Sequence, residues 1–143
     1  MKLNPKVWGP HYWFFLHTAA MSYPVTPNDT MKKKFYDFIQ NLPLFLPDPS
    51  IAALFSTVLD TYPVSPYLDS RDSLVRWTHF IHNQINKQLE KDEITMEEFY
   101  IAYYKHYETT TDKNLSYVKN KRIITYVGVV LGILLMIYIF YNK

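Results

Sequence analysis

The segment that most constrains this chain is IITYVGVVLGILLMIYIFY, which runs without a charge from Ile123 to Tyr141. As a helix rising about 1.5 Å per residue it spans about 28 Å, close to the hydrocarbon thickness of a bilayer. Backbone groups in lipid have no water to bond, so a single segment there must be helical. Tyr126, Tyr138 and Tyr141 lie near its ends, as interfacial aromatics do. Lys119, Lys121 and Arg122 precede it, and only Asn142 and Lys143 follow. The pattern predicts a single-pass C-terminal anchor with the N-terminal part on the cytosolic side. Gly128 and Gly132 form a GxxxG spacing that would let two such helices approach closely.

Residues 1–118 hold 11 Lys/Arg against all 13 Asp/Glu, so this part is nearly neutral and the basic excess belongs to the anchor. No basic stripe is expected on the folded part, and therefore no nucleic-acid partner. The first six residues, MKLNPK, contain no apolar core, so no signal peptide is expected. Cysteine is absent. That excludes a disulfide, a thiolate nucleophile or a Cys-ligated zinc on this chain. The 13 Tyr, 9 Phe and 3 Trp give a small domain large areas to bury.

The N-terminal part reads as helices. Residues 13–22 are apolar on most sides and stop before Pro24, since a proline disfavours helix in the residue it follows. Asn28 or Asp29 caps a second helix, 30–41, with Met31, Phe35, Phe38, Ile39 and Leu42 on one face. Asp48 followed by Pro49 is a cap with proline at the first helical position, opening a third helix over 49–60. A fourth starts at Asp69 or Ser70 and runs to about Lys91, with Leu74, Trp77, Ile81, Ile85 and Leu89 at 3–4 spacing. Thr95 and Glu98 form a capping box for a fifth, ending near Tyr107. The expected fold class is all-α, a small bundle of four to five helices followed by one transmembrane helix. The expected division is a bundle over 1–107, a polar linker over 108–118, and the anchor with its basic flank over 119–143.

Two segments are specific. WGPHYWFFLHTAAMSYP occupies 8–24 and WTHFIHNQINKQL occupies 77–89. In order and spacing they resemble the Erv/Alr sulfhydryl oxidases, whose patterns are WGxxxWxxLHxxAxxYP and WxxxxHNxVNxxL. The resemblance covers about residues 5–105 and implies a bundle that cradles FAD. It would set Trp13, His17, Tyr23, Trp77, His82, Asn83 and Asn86 around the flavin and adenine rings. Stacking area from Trp and Tyr, with ring-edge hydrogen bonds from His and Asn, suits such a group. The same residues also read as plain core aromatics and satisfied core histidines. Family members commonly form two-fold dimers through their first two helices, so a homodimer is expected.

A third family motif, Pro-Cys-x-x-Cys followed two residues later by His-Phe, falls on PDPSIAALF at 47–55. Asp48 and Ile51 occupy the cysteine positions, and Leu54 replaces the histidine. Neither Asp nor Ile can exchange with a dithiol or attack a flavin. The expectation is therefore no enzyme: a catalytically inactive structural protein, membrane-anchored and dimeric. By analogy with the family's viral branch it would link an inner virion membrane to capsid or other structural proteins. Cofactor content is left unknown, FAD being compatible with the aromatic and His/Asn frame and its absence favoured by the altered motif. The alternative is an FAD-binding, membrane-associated thiol oxidoreductase or redox partner subunit that lacks its own CxxC. His79 and His82 at i, i+3 lack a third ligand, so no metal site is expected.

Overall fold

The computed structural model describes residues 3–108 and 117–142 in full and the helical backbone over 110–116. Among the described residues six α-helices follow one another: α1 Pro5–Met21, α2 Asp29–Asn41, α3 Pro49–Thr61, α4 Arg71–Gln88, α5 Met96–Lys105 and α6 Thr110–Tyr141. Short 3₁₀ turns at Leu42–Phe45 and Ser65–Tyr67 flank α3. Among the described residues there is no strand. The chain divides into two compact units, Met1–Tyr100 and Ile101–Lys143.

Local chemistry sets most helix starts. The Asn28 side chain accepts from the Met31 N–H at 2.8 Å, so Asn28 and not Asp29 is the cap of α2. Ser70 accepts from the Ser73 N–H at 3.2 Å and caps α4, leaving Asp69 to meet Lys32 at 2.6 Å. Thr95 and Glu98 exchange bonds of 2.7 and 3.1 Å at the start of α5, the reciprocal pattern of a capping box.

Three boundaries differ from the expectation. Helix α1 begins at Pro5, well before residue 13, because Asn4 accepts from the Lys6 N–H at 3.0 Å and Pro5 suits the first position. Pro10 lies inside α1, so the helix forgoes one backbone bond there. Helix α4 stops at Gln88, not Lys91, because Glu90 turns to φ 53°, the left-handed conformation that commonly ends helices. The polar stretch 108–118 reads as a linker, yet α6 begins at Thr110. No proline or glycine lies between Thr110 and Tyr126, so nothing in the backbone stops a helix there.

In the first unit, α4 is central and packs against α1 and α3. Its Leu74, Trp77, Ile81 and Ile85 are buried with Leu16 and Ala20 of α1, Ile39 of α2, and Phe55, Val58 and Leu59 of α3. The 3–4 spacing of α4 thus delivers one face to the core. In the second unit, Tyr117–Tyr141 of α6 is long and apolar enough to cross a membrane, with mean hydropathy 2.6. None of that stretch is buried within the chain.

Candidate functional site

Trp13 and His17 stand four residues apart on α1 and so share a face. The packing of α1 on α4 brings that face against His82. His17 Nε2 lies 3.1 Å from His82 Nδ1. The Trp13 indole stacks on the His82 ring, with centroids 4.0 Å apart and planes 12° apart, and is near-parallel to His17 at 5.6 Å. Phe99 of α5 meets His17 edge-on at 4.6 Å, and Phe55 of α3 tilts against Trp13 at 6.0 Å. The cluster is walled by aromatic rings from four helices.

Burial decides the charge of this pair. His17 is 4% exposed, and burial, then the neighbouring His82 and His79, push its pKa down to about 3. Burial, then His79 and Lys91, push that of His82 down to about 4. Both imidazoles are neutral near pH 7. His17 Nδ1 is buried with no hydrogen-bond partner. A buried polar atom left unpaired costs about 1–3 kcal/mol, so the arrangement is not one that folding alone favours.

The other four candidates sit elsewhere in the hydrogen-bond pattern. Tyr23 is fully buried, and its hydroxyl donates to the Leu68 carbonyl at 2.9 Å while its own carbonyl accepts from Arg71. Trp77 is 1% exposed and donates its indole N–H to the Tyr62 carbonyl at 3.1 Å. The Asn83 amide pairs with both backbone groups of Ile94, at 2.8 and 3.0 Å. Asn86 donates to the Asp92 carbonyl at 3.3 Å. Of the seven residues singled out from the sequence, the structure gathers Trp13, His17 and His82 into one cluster. It ties Tyr23, Trp77, Asn83 and Asn86 to loop backbone.

Three further residues belong to the cluster. Phe99 packs on His17, Lys91 places a positive charge whose field reaches His82, and His79 influences both histidines. His79 Nε2 is 2.8 Å from the Ile94 carbonyl and so donates to it. Among the described residues no group of three or more His, Cys, Asp or Glu is gathered for a metal ion. Lys91 lies nine residues after His82 and two beyond the 77–89 motif, so the motif gives no signal for it.

Asp48, at the first lost cysteine position, is buried and caps α3 as its sequence implies. Its Oδ1 accepts from the Ser50 and Ile51 N–H groups at 2.9 and 3.3 Å. Leu54 lines a cavity of about 180 Å³ between α3 and α4, with Thr57, Val58, Thr61, Tyr62, Gln84 and Gln88. Two residues along a helix are about 200° apart in azimuth, so Gln84 and Gln88 point away from His82 and Asn86. This cavity is distinct from the histidine cluster.

The first unit is thus an all-helical bundle that holds an aromatic and histidine cluster between its first and fourth helices. The model of the Erv1/Alr family matches residues 10–123, and the chain belongs to that family. It is 33% identical over 97 residues to a protein of Acanthamoeba polyphaga mimivirus named "Probable FAD-linked sulfhydryl oxidase", spanning 67% of this chain and 68% of that one. It is 30% identical over 112 residues to an FAD-linked sulfhydryl oxidase of African swine fever virus, spanning 78% and 89%. The crystal structure of the FAD-binding domain of Erv1 from Saccharomyces cerevisiae superposes with a TM-score of 0.61 at 29% identity, covering 65% of this chain and 87% of that one. These matches correct the expectation that the chain is no enzyme. The family is enzymatic, and the relatives are named as oxidases; the missing cysteines alone do not carry a non-enzymatic reading.

Proposed function

We propose that this chain is a membrane-associated, FAD-binding thiol oxidoreductase whose dithiol is supplied by another protein. The observation that carries the reading is the Trp13–His82 stack beside His17, in a chain of this family. The residue types fit a flavin dinucleotide. A half-buried indole–imidazole stack offers a planar surface, the unpaired His17 Nδ1 offers a buried polar atom, and the exposed Lys91 offers a cation within electrostatic reach of His82. When bound, a flavin accepts the two electrons and two protons that a dithiol gives up on closing to a disulfide. The chain's own part is to seat the ring system and keep the neighbouring imidazoles neutral. The sequence contains no cysteine, so both sulfurs must come from a partner. Purification of the full chain in detergent tests this. A yellow protein with bound-flavin absorbance that bleaches with a protein dithiol is expected. A colourless protein that takes up no added FAD would sink the reading.

The anchor and the viral relatives favour a compatible placement: an inner virion membrane, with the N-terminal unit cytosolic and facing capsid or other structural proteins. A homodimer through α1 and α2 fits the exposed apolar side chains there. Phe15, packed edge-on against Phe38, is 55% exposed, and Tyr36 is 40% exposed. Light scattering in detergent is expected to give a dimer, and Phe15→Glu to weaken it. Protease digestion of the N-terminal unit from the lumenal side only would overturn the orientation.

A further inference from the structure

His17 and His82 share one hydrogen bond, and the direction of that bond decides what the cluster shows to its surroundings. Both rings are neutral, so each carries a single N–H. Two assignments satisfy the 3.1 Å contact between His17 Nε2 and His82 Nδ1. In one, His82 donates from Nδ1, and His17 must then carry its proton on Nδ1. That atom is buried and has no partner. The result is a stranded N–H, a rarity in folded proteins. In the other, His17 donates from Nε2 and keeps only a lone pair on Nδ1, the less costly kind of unpaired atom. His82 then accepts at Nδ1 and carries its proton on Nε2. His82 is only half-buried, and among the described residues its Nε2 is not a buried polar atom without a partner, so an N–H there is not stranded as one on His17 Nδ1 would be.

We infer that His17 is a positioning residue: it donates from Nε2 to His82 Nδ1 and so fixes His82 as the Nε2–H tautomer, giving the Trp13–His82 stack a hydrogen-bond donor on its rim. A ring nitrogen's proton is set by the bond that the other nitrogen makes. His17 cannot reorient freely to escape this duty. Trp13 lies near-parallel to it on one side and Phe99 meets it edge-on. His79 does not compete for His82 Nδ1, because its own Nε2–H is committed to the Ile94 carbonyl. The consequence is a choice of ligand chemistry. A planar heterocycle with an acceptor at its edge is matched by this rim, and one that presents only donors is not. The ligand preference rests on the flavin reading above, whereas the tautomer assignment does not.

The test is nitrogen-15 NMR of the histidine side chains in the full chain, labelled, in detergent and free of flavin, at pH 7. Long-range nitrogen–proton correlations distinguish the two tautomers directly. The expected result is His82 dominated by Nε2–H in the unsubstituted protein. His17→Leu should lose that dominance, leaving a mixture at His82, and His17→Gln should restore it, because the glutamine amide N–H reaches the same nitrogen. Dominant Nδ1–H on His82, or an unchanged His82 in a folded His17→Leu variant, would overturn the inference. If His17→Leu does not fold, the tautomer of the unsubstituted protein decides alone. A colourless protein with His82 as Nε2–H leaves this inference standing while the flavin reading fails. A yellow protein with His82 as Nδ1–H has the opposite meaning.

Discussion

Individual side chains tie the stability of this protein to pH. His17 and His82 have folded-state pKa values of about 3 and about 4, below the 6.5 of an unfolded chain. Above pH 6.5 both states are neutral and this contribution is constant. As pH falls through 6.5, the unfolded state takes up protons that the folded state refuses, and stability drops. Each histidine contributes up to about 1.4 kcal/mol per pH unit in that window. The loss ends for His82 near pH 4 and for His17 near pH 3, where the folded state protonates too. Thermal unfolding of the full chain at pH 7, 6 and 5 checks this. A falling melting temperature is expected, with a shallower fall in His82→Gln. Tyr23 is an independent case. Tyr23→Phe leaves the Leu68 carbonyl without its donor and should cost about 1–3 kcal/mol, read from denaturant unfolding.

The same residues show what a sequence carries and what it does not. Trp13 and His17 at i, i+4 had to share a face, and so did His82 and Asn86, but only the family resemblance, and not the spacing, implied that the two helices meet. The fate of Tyr23, Trp77, Asn83 and Asn86 was not legible. Their polar atoms serve the carbonyls of Leu68, Tyr62, Ile94 and Asp92, all of which lie outside the α-helices. A buried loop carbonyl needs a donor, and which loop comes to lie over which helix is a tertiary fact. Periodicity places a side chain on a face without naming the backbone that will cross it.

Among the elements, the connection from α4 to α5 depends most on a few groups. Asn83 holds Ile94 at two points, His79 shares the Ile94 carbonyl, and Asn86 holds Asp92. Asn83→Ala should cost about 1–3 kcal/mol and raise hydrogen exchange in residues 89–95 before the rest of the bundle opens. Glu90, with φ 53°, tests the opposite sign. Glycine adopts that conformation without a side-chain penalty, so Glu90→Gly should stabilise the protein by about 0.5–1 kcal/mol, measured by the denaturant midpoint. Helix starts were mostly legible, because Asn28, Asp48, Ser70 and Thr95 carry their capping chemistry in their own side chains. The early start of α1 at Asn4–Pro5 carried the same kind of signal. The end of α4 did not, since the left-handed residue that closes it is a glutamate and not a glycine.

For the whole molecule, the two compact units separate a cored bundle from a helix with no cover of its own. Alkaline carbonate washing is expected to leave the full chain in the membrane pellet. Removal of residues 119–143 should release a soluble bundle with an unchanged melting transition, because the buried core residues among those described all lie before residue 119. A soluble full chain would count against the anchor. Helix α6 carries a further consequence. It extends unbroken from Thr110 to Tyr141, so about 20 Å of it precedes the uncharged run that starts at Ile123. A continuous helix transmits torsion as a keyed shaft does. Inserting one residue before Ile123 turns the Thr110 end by about 100° about the axis, whereas inserting seven returns it to within about 20° of its original bearing. The bearing of that end relative to the apolar run, as well as its distance from it, is therefore written into the number of residues between them.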